Sequence, residues 1–492
     1  MEHIIAIDVG NGFGKSAIVL DPSKDPLLLT PPHMPLGLPS IAHVAPDGTI
    51  HVGAGIHPGC AQVRDVKVHL DKEALQLNAG GTTFTVAPSK IYGAVALELI
   101  RLANQSLAER GLAPSYRVVV TYPSSFIDTP KPGIMKRSIE ALELNGHRLE
   151  VVAMLPEPVA AGVDTLYYER NIKADANTDQ HYNIAVYDLG HGTLDVAVIT
   201  STNDKAKPFD LICQTGDPDV GGRVFDEKIF RELCRQLGST PTGQDYRQLR
   251  FDHAVNMKHE LSNAHTSVSC VNFLLDGNEE YTELELTKAS FEHMILTDIR
   301  NTMVSVAQML ETAQKKGVAI QEIVLTGGAS QIPLIQRLLE DTFGDAQLRV
   351  RQFRPPHAVV GGAARYAFDL QAKPITQYTE YAYGIYGDSD DKVYMLIPAG
   401  AALTAGSTPL IMWPNSSDTR IRICRSKDRL CTDQTLPYRQ CNEIRRFHFV
   451  CQSGRKHEVA ITIDEDHRLT VQCKLPDGST LSQSTFDQQE EA

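Results

Sequence analysis

IIAIDVGNGFGKSAIVL, residues 4–20, and NIAVYDLGHGTLDVAVI, residues 183–199, decide the reading of this chain. Each is an apolar run, then an aspartate, then a glycine-rich turn, then a second apolar run. Alternating and β-branched residues on both sides predict strands, so each unit is a β-hairpin with a carboxylate at its mouth. A unit that recurs predicts two similar halves. The hairpin context argues against two common nucleotide motifs. A dinucleotide fingerprint needs its glycines between a strand and a helix, whereas Gly10, Gly12 and Gly14 stand between two strands. No Walker-type GxxxxGK loop opens a helix. Glycine-rich hairpins can still hold phosphate, because without Cβ atoms the backbone approaches closely and its N–H groups point at the anion.

Working outward, PSKIYGAVALELIRLANQSLAERG (88–111) has helical spacing of apolar residues, RVVVTYP (117–123) predicts a strand, and KPGIMKRSIEALELNG (131–146) predicts a helix ending at Asn145-Gly146. After the second hairpin, helices are expected near 222–238, 245–264 and 287–316. EIVLTGGAS (322–330) predicts a strand entering a Gly-Gly turn, and helices follow over 332–344 and 357–370. Beyond about residue 371 the pattern changes to short alternating runs such as RIRICRS, RRFHFVC, HEVAITI and RLTVQCK, which predict a separate all-β domain.

The two aspartates carry the chemistry. Asp8 and Asp188 would sit at one cleft, where their carboxylates suit a hydrated Mg²⁺ bridging phosphates. Thr193 adds a hydroxyl, and Asp195 lies two residues on along the same strand face. One such aspartate alone would read as an Asx turn or a strand end. Two matched hairpins plus the TGG turn carry more.

With these segments in view, the chain resembles the ATPase superfamily of actin, sugar kinases and DnaK-type (seventy-kilodalton heat-shock) chaperones. DVGNGFGKS resembles the first phosphate loop, LPEPVAAGVD (155–164) the first connecting helix, whose chaperone form reads NEPTAAA, and YDLGHGTLDVAVI the second phosphate loop, DLGGGTFD. VLTGGASQIPLIQRLL (324–339) resembles the adenosine motif and HAVVGGAARYA the second connecting helix. DPDVGGRVFDEKI (217–229) and MKHELSNA (257–264) are similar to chaperone segments in particular.

That resemblance implies an α/β, two-lobed actin-like ATPase fold with ribonuclease-H-like halves, followed by a small all-β domain. The ATPase domain would cover 1–370, a linker 371–380, a β-sandwich-like substrate-binding domain 381–483, and a disordered acidic tail 484–492. It implies ATP or ADP with Mg²⁺, the metal on Asp8 and Asp188. Asp8, Glu157, Asp188 and Thr193 would be catalytic, with Glu157 matching the glutamate of NEPTAAA and orienting the attacking water. Phosphates would lie on Gly10, Asn11, Gly12, Gly14, Lys15, Gly190, His191 and Gly192. The remaining nucleotide contacts would come from Gly221, Gly222, Gly327, Gly328, Ala329 and Gln331, with Lys258, His259 and Ser262 on the adenine side.

Three departures from the family pattern stand out. Lys15 follows Asp8 by seven residues, a spacing that resembles actin and plasmid-segregation actins. Chaperones take a phosphate lysine from a later segment shaped like VGxxAK, where HVGAGIHPG (51–59) offers His57, so Lys15 is expected to supply the charge and hydrolysis to be slow. His191 and Gln331 stand where a glycine and an arginine are usual. The segments 381–406 and 457–479 resemble parts of the chaperone substrate-binding domain, without an apolar linker or a helical lid.

The leading expectation is a divergent, lidless chaperone-like ATPase whose partners are ATP, unfolded or extended polypeptide and cochaperones. An actin-like filament protein, a sugar-kinase-type enzyme and a non-catalytic nucleotide sensor remain open alternatives. A net charge of −13 argues against a general nucleic-acid binder or attraction to anionic membranes. The chain opens without a basic stretch leading into an apolar one, and no segment approaches the ~18 apolar residues of a membrane span. A cytoplasmic protein is expected. Its nine cysteines contain no CxxC pair and read as reduced, mostly buried thiols.

Overall fold

Strand β1 (Ile5–Val9) and strand β2 (Phe13–Ile18) pair antiparallel, with Asp8 opposite Lys15. This is seen in a computed structural model, which describes residues 3–487 except 32, 56, 170–181, 203–208, 277–279, 345–347, 355, 370–378, 380, 388–389, 400, 402–408, 413–417, 428–430, 432, 451–453, 465–467 and 476. β3 (Leu27–Leu28) extends the hairpin. β4 (Arg117–Tyr122) runs parallel to β1 on its other side, and β5 (Glu150–Pro156) parallel to β4. The sheet order is β5-β4-β1-β2-β3.

The second half repeats this plan. β6 (Asn183–Leu189), β7 (Leu194–Ser201) and β8 (Phe209–Asp217) are antiparallel, and β9 (Glu322–Thr326) and β10 (Arg349–Gln352) add on parallel, giving β8-β7-β6-β9-β10. Each sheet therefore has its hairpin beside two parallel strands in the same order. The duplication expected from the two Asp-led hairpins extends to whole lobes.

Helices cover the sheets. The first half of the chain carries α1 (Pro88–Glu109), α2 (Lys131–Glu140) and α3 (Glu157–Tyr167), the last of which packs chiefly on β6 and β7 of lobe two. The second half carries α4 (Gly222–Leu237), α5 (Ala254–Ser262), α6 (Lys288–Lys315), α7 (Pro333–Phe343) and α8 (Ala358–Phe368), the last of which packs chiefly on β1 and β2 of lobe one. The predicted helix 245–264 is made of three contiguous pieces, of which the middle one, Gln248–His253, is a π turn. One correction concerns 131–146. The helix stops at Glu140, and Asn145-Gly146 turns a small hairpin between Glu143–Leu144 and His147–Arg148. Both turn residues have positive φ, 53° and 80°, the geometry that an Asn-Gly hairpin turn selects.

Every residue of β1 is buried because the strand is covered on both sides, as parallel sheets require. Ile5 and Ile7 enter the lobe-one core with Ile91, Leu99 and Val120. Ala6 points the other way, into a core shared by the lobes through α3 and α8. Those two helices follow the fifth strand of each lobe and pack on one another. Their contact is backbone-close: a Cβ at Gly362 would stand 1.7 Å from the Ala160 carbonyl oxygen. Beside it, Arg365 Nε donates to Asp164 Oδ1 at 2.7 Å, both side chains 1% exposed.

The β region comprises two antiparallel sheets. One orders Thr435–Pro437, Lys392–Ile397, Tyr383–Gly387, Asp418–Ser426 and Cys441–Val450; the other orders Leu410–Met412, His457–Ile463, Arg468–Lys474 and Thr480–Asp487. Strict alternation in HEVAITI and RLTVQCK buries Val459, Ile461, Leu469 and Val471 against Tyr383, Ile421 and Ile423 of the first sheet. Cys424 and Cys441 are buried, and burial pushes their thiols up to about 12 and about 11, so neither is a thiolate at neutral pH. Strand Thr480–Asp487 takes in the first residues of the expected tail; 488–492 and nearly all of the expected linker lie outside the described residues.

Because Gly362 leaves no room for a methyl group, Gly362→Ala should push the connecting helices apart. A loss of about 1–3 kcal/mol or more in chemical denaturation is expected, and unchanged stability would contradict the packing.

Candidate functional site: a charged cleft between the lobes

Both hairpins turn toward one space. A cavity of about 500 Å³ lies between them. Asp8, Gly10, Asn11, Gly12 and Lys15 line it from the first hairpin, and Asp188, Gly190, His191, Gly192 and Thr193 from the second. The hairpin tips nearly touch. A Cβ at Gly192 would fall 2.0 Å from Asn11 Nδ2, and one at Gly12 would meet the His191 ring. Gly222, Lys258, His259, Ser262, Gly327, Gly328, Ala329 and Gln331 complete the wall on the lobe-two side.

Gly327 shows why the TGG turn is glycine. Its φ is +81°, and a Cβ there would lie 2.3 Å from Asp188 Oδ1 and 2.4 Å from the Leu189 carbonyl oxygen. The turn thus rests directly on the second aspartate.

Two predicted residues do not line the cavity. Gly14 points below the sheet toward Leu99, and Gly221 packs against the backbone of His191 and Gly192. At Gly221 a Cβ would stand 2.8 Å from the His191 carbonyl oxygen, so a side chain would not fit there. Lys258 lines the wall, but its ammonium is taken up by Asp226 at 2.7 Å. Ser262 Oγ donates back to the Lys258 carbonyl at 2.7 Å.

One cleft lysine escapes the sequence reading. His57 does not line the cavity; it stacks on His51 at 4.4 Å and lies 4.8 Å from His43. Lys67 lines it instead, with Nζ 2.6 Å from Glu157 Oε1 and 2% of its side chain exposed. Its signal in the sequence is faint: a lysine inside the apolar run of RDVKVHL (64–70). Glu157 and Lys67 are matched across 90 residues of chain, which no local pattern reveals.

The floor of the cleft is a knot of carboxyl groups. Thr121 Oγ1 donates to Asp8 Oδ1 at 2.9 Å, and Lys15 Nζ lies 3.9 Å from Asp8 Oδ2. Thr193 Oγ1 donates to Asp195 Oδ2 at 2.8 Å, and the Ser125 backbone N–H of lobe one donates to Asp195 Oδ1 at 3.2 Å. Burial, then the neighbouring charges of Glu157, Asp195 and Asp8, hold the Asp188 carboxyl well above its ordinary range. Burial also raises Glu157, against the opposing pull of Lys67. Burial and Glu157 push Asp195 up to about 8. Four largely buried carboxyl groups therefore share two lysines. Such a set is relieved by a bound cation or by protons.

The sign of the pH effect follows. Asp195 titrates near its ordinary value when unfolded and at about 8 when folded. Its protonated form thus stabilises the metal-free fold fully below about pH 4, and that contribution is lost as pH rises to about 8. Asp195→Asn should raise the melting temperature of the metal-free protein, by an amount that grows from about pH 5 to about pH 8 and then levels off. A pH-independent difference would show that Asp195 is not crowded in this way.

A family model described as Hsp70 protein matches residues 61–375, which takes in Lys67, Glu157, the second hairpin and the TGG turn, and begins after the first hairpin. A heat shock protein of Pyricularia oryzae (strain 70-15) is 29% identical over 306 residues, which is 61% of this chain and 46% of that protein. The chain thus spans about half the length of the curated relative it matches. With the family model covering more than half of its residues and two like lobes closing on one charged cleft, the chain belongs to the Hsp70 family.

Proposed function

We propose that this protein is a chaperone-type ATPase that binds ATP with Mg²⁺ between its lobes, hydrolyses it slowly, and couples the nucleotide to a β domain that binds extended polypeptide. The observation that carries the proposal is the pairing of Lys67 with Glu157 between the two Asp-led hairpins.

The residues fit a divalent cation. Asp8 and Asp188 stand at the two hairpin mouths, and crowding with Glu157 and Asp195 leaves Asp188 short of positive charge. Mg²⁺ keeps several waters and takes one or two carboxylates plus phosphate oxygens. When bound it would neutralise phosphate charge and help align the reacting groups. The rest is the work of the chain. The glycine turns at Gly10, Gly12, Gly190 and Gly192 let backbone N–H groups approach phosphate. Lys15 and Lys67 add two cations from lobe one. Glu157 fixes Lys67 and orients water beside it. Asp195 holds Thr193 Oγ1 on its Oδ2 and the Ser125 N–H of lobe one on its Oδ1, and so fixes the second hairpin. His259, Ser262 and Gln331 line the wall and would face the base, while Lys258 is held by Asp226 and shapes that wall.

In the β domain, the short strand Leu410–Met412 ends one sheet, with Ile411 exposed. An extended peptide would add there by main-chain hydrogen bonds. The family relationship supports polypeptide as the partner class, and cochaperones as further partners.

Steady-state hydrolysis with Mg²⁺ tests the proposal. Lys67→Ala and Glu157→Gln should each lower kcat about 10²-fold or more while ATP still binds, and an unfolded peptide should accelerate the unmodified protein. Undiminished kcat in both variants would refute the assigned roles, and indifference to peptide would refute coupling.

A further inference from the structure

The segment that carries Lys67 does more than reach the cleft. Two residues earlier, Asp65 crosses from lobe one to lobe two. Its Oδ1 lies 3.3 Å from His191 Nε2, in the second phosphate-loop candidate. His191 Nδ1 in turn lies 3.9 Å from Asp226 Oδ2 on α4. The imidazole therefore stands between carboxylates of opposite lobes. Burial pushes the Asp65 carboxyl up, but the adjacent His191 ring and the charges of Arg223 and Arg64 outweigh it and pull the group below its ordinary range. Arg250, on the π turn, also faces Asp65 and is ion-paired with Glu227. Next to Asp65, Arg64 lies over the Phe251 ring of lobe two, 4.6 Å from its centroid.

Asp65 is thus a lobe-one carboxylate seated against His191 of lobe two, within reach of the charges of Arg223 and Arg250. It is also rigidly tied to Lys67. Asp65 holds the left-handed conformation (φ 52°, ψ 38°), caps the short helix Val66–His69, and its carbonyl accepts from the Val68 N–H at 3.0 Å. Asp tolerates that conformation better than most residues. Whatever pulls Asp65 out of lobe two must therefore drag Lys67 with it.

We infer that Asp65, docked on His191, is a clasp across the cleft that keeps Lys67 on Glu157 and retains bound nucleotide. Asp65 and His191 act here as positioning residues. The histidine supplies a side-chain partner that a glycine at this loop position would lack. The retention half of the inference rests on the nucleotide reading above; the lobe-to-lobe half does not.

Two measurements on the full chain test it separately. In nucleotide-free protein, amide hydrogen exchange over 61–70 should quicken about tenfold in Asp65→Asn and in His191→Asn. The double variant should be no faster than either single one, because both remove the same contact. Asn keeps the shape and the left-handed tolerance of Asp65, and the His191 variant decides the matter should the other fail to fold. Unchanged exchange, or additive effects, would overturn the clasp. With a fluorescent ADP, release should quicken about five- to tenfold in the same variants; unchanged release alongside faster exchange would overturn the retention half. Should the unmodified protein bind no ADP, the nucleotide reading falls with the retention half, while exchange still decides the clasp.

Discussion

Negative charge is gathered in this cleft on side chains that are largely buried. Asp8, Glu157, Asp188 and Asp195 converge on a space that Lys15 and Lys67 only partly neutralise. A fold does not hold such a set for stability, since buried ions seldom recover their desolvation cost. The lobes, connecting helices and glycine turns are best understood as the frame that keeps these groups together. Lys67 and Glu157 are the clearest case: each would be costly to bury alone, and each comes from a different element of lobe one.

The frame is two copies of one plan. Each hairpin aspartate ends a strand that is fixed by a parallel neighbour, Arg117–Tyr122 in one lobe and Glu322–Thr326 in the other. The last strand of each sheet feeds a connecting helix, and the two helices meet at Gly362 and the Asp164–Arg365 pair. A contact with no space for a methyl group can pivot but cannot easily separate. Asp65 and His191 make a second contact between the lobes, apart from that helix pair. Hinge motion about a fixed contact is a usual route from ligand binding to a distant domain.

Much of this is legible in the sequence. The hairpins are readable because period-two burial and glycine turns are local signals, and their recurrence announces the duplicated lobes. Most cleft residues named from the motifs do line the cavity. Gly14 and Gly221 do not, because glycine in a motif serves close backbone packing as readily as ligand approach. Lys67 escapes a sequence reading because its importance lies in a partner 90 residues away, while His57 sits where the motif suggests a cation. The helix expected over 131–146 is too long because Asn145-Gly146 ends a helix and turns a hairpin with equal ease; only the pairing of Glu143–Leu144 with His147–Arg148 decides between them. The clasp is invisible for the same reason as Lys67, since His191 shows only as a departure from glycine.

Titration calorimetry of the unmodified protein with ATP, with and without Mg²⁺, tests the central claim most directly. If the crowded carboxylates form a metal–nucleotide site, Mg²⁺ should tighten ATP binding at least about tenfold, equivalent to ~1.4 kcal/mol. ATP binding that is indifferent to Mg²⁺, or no binding at all, would contradict the account of the cleft.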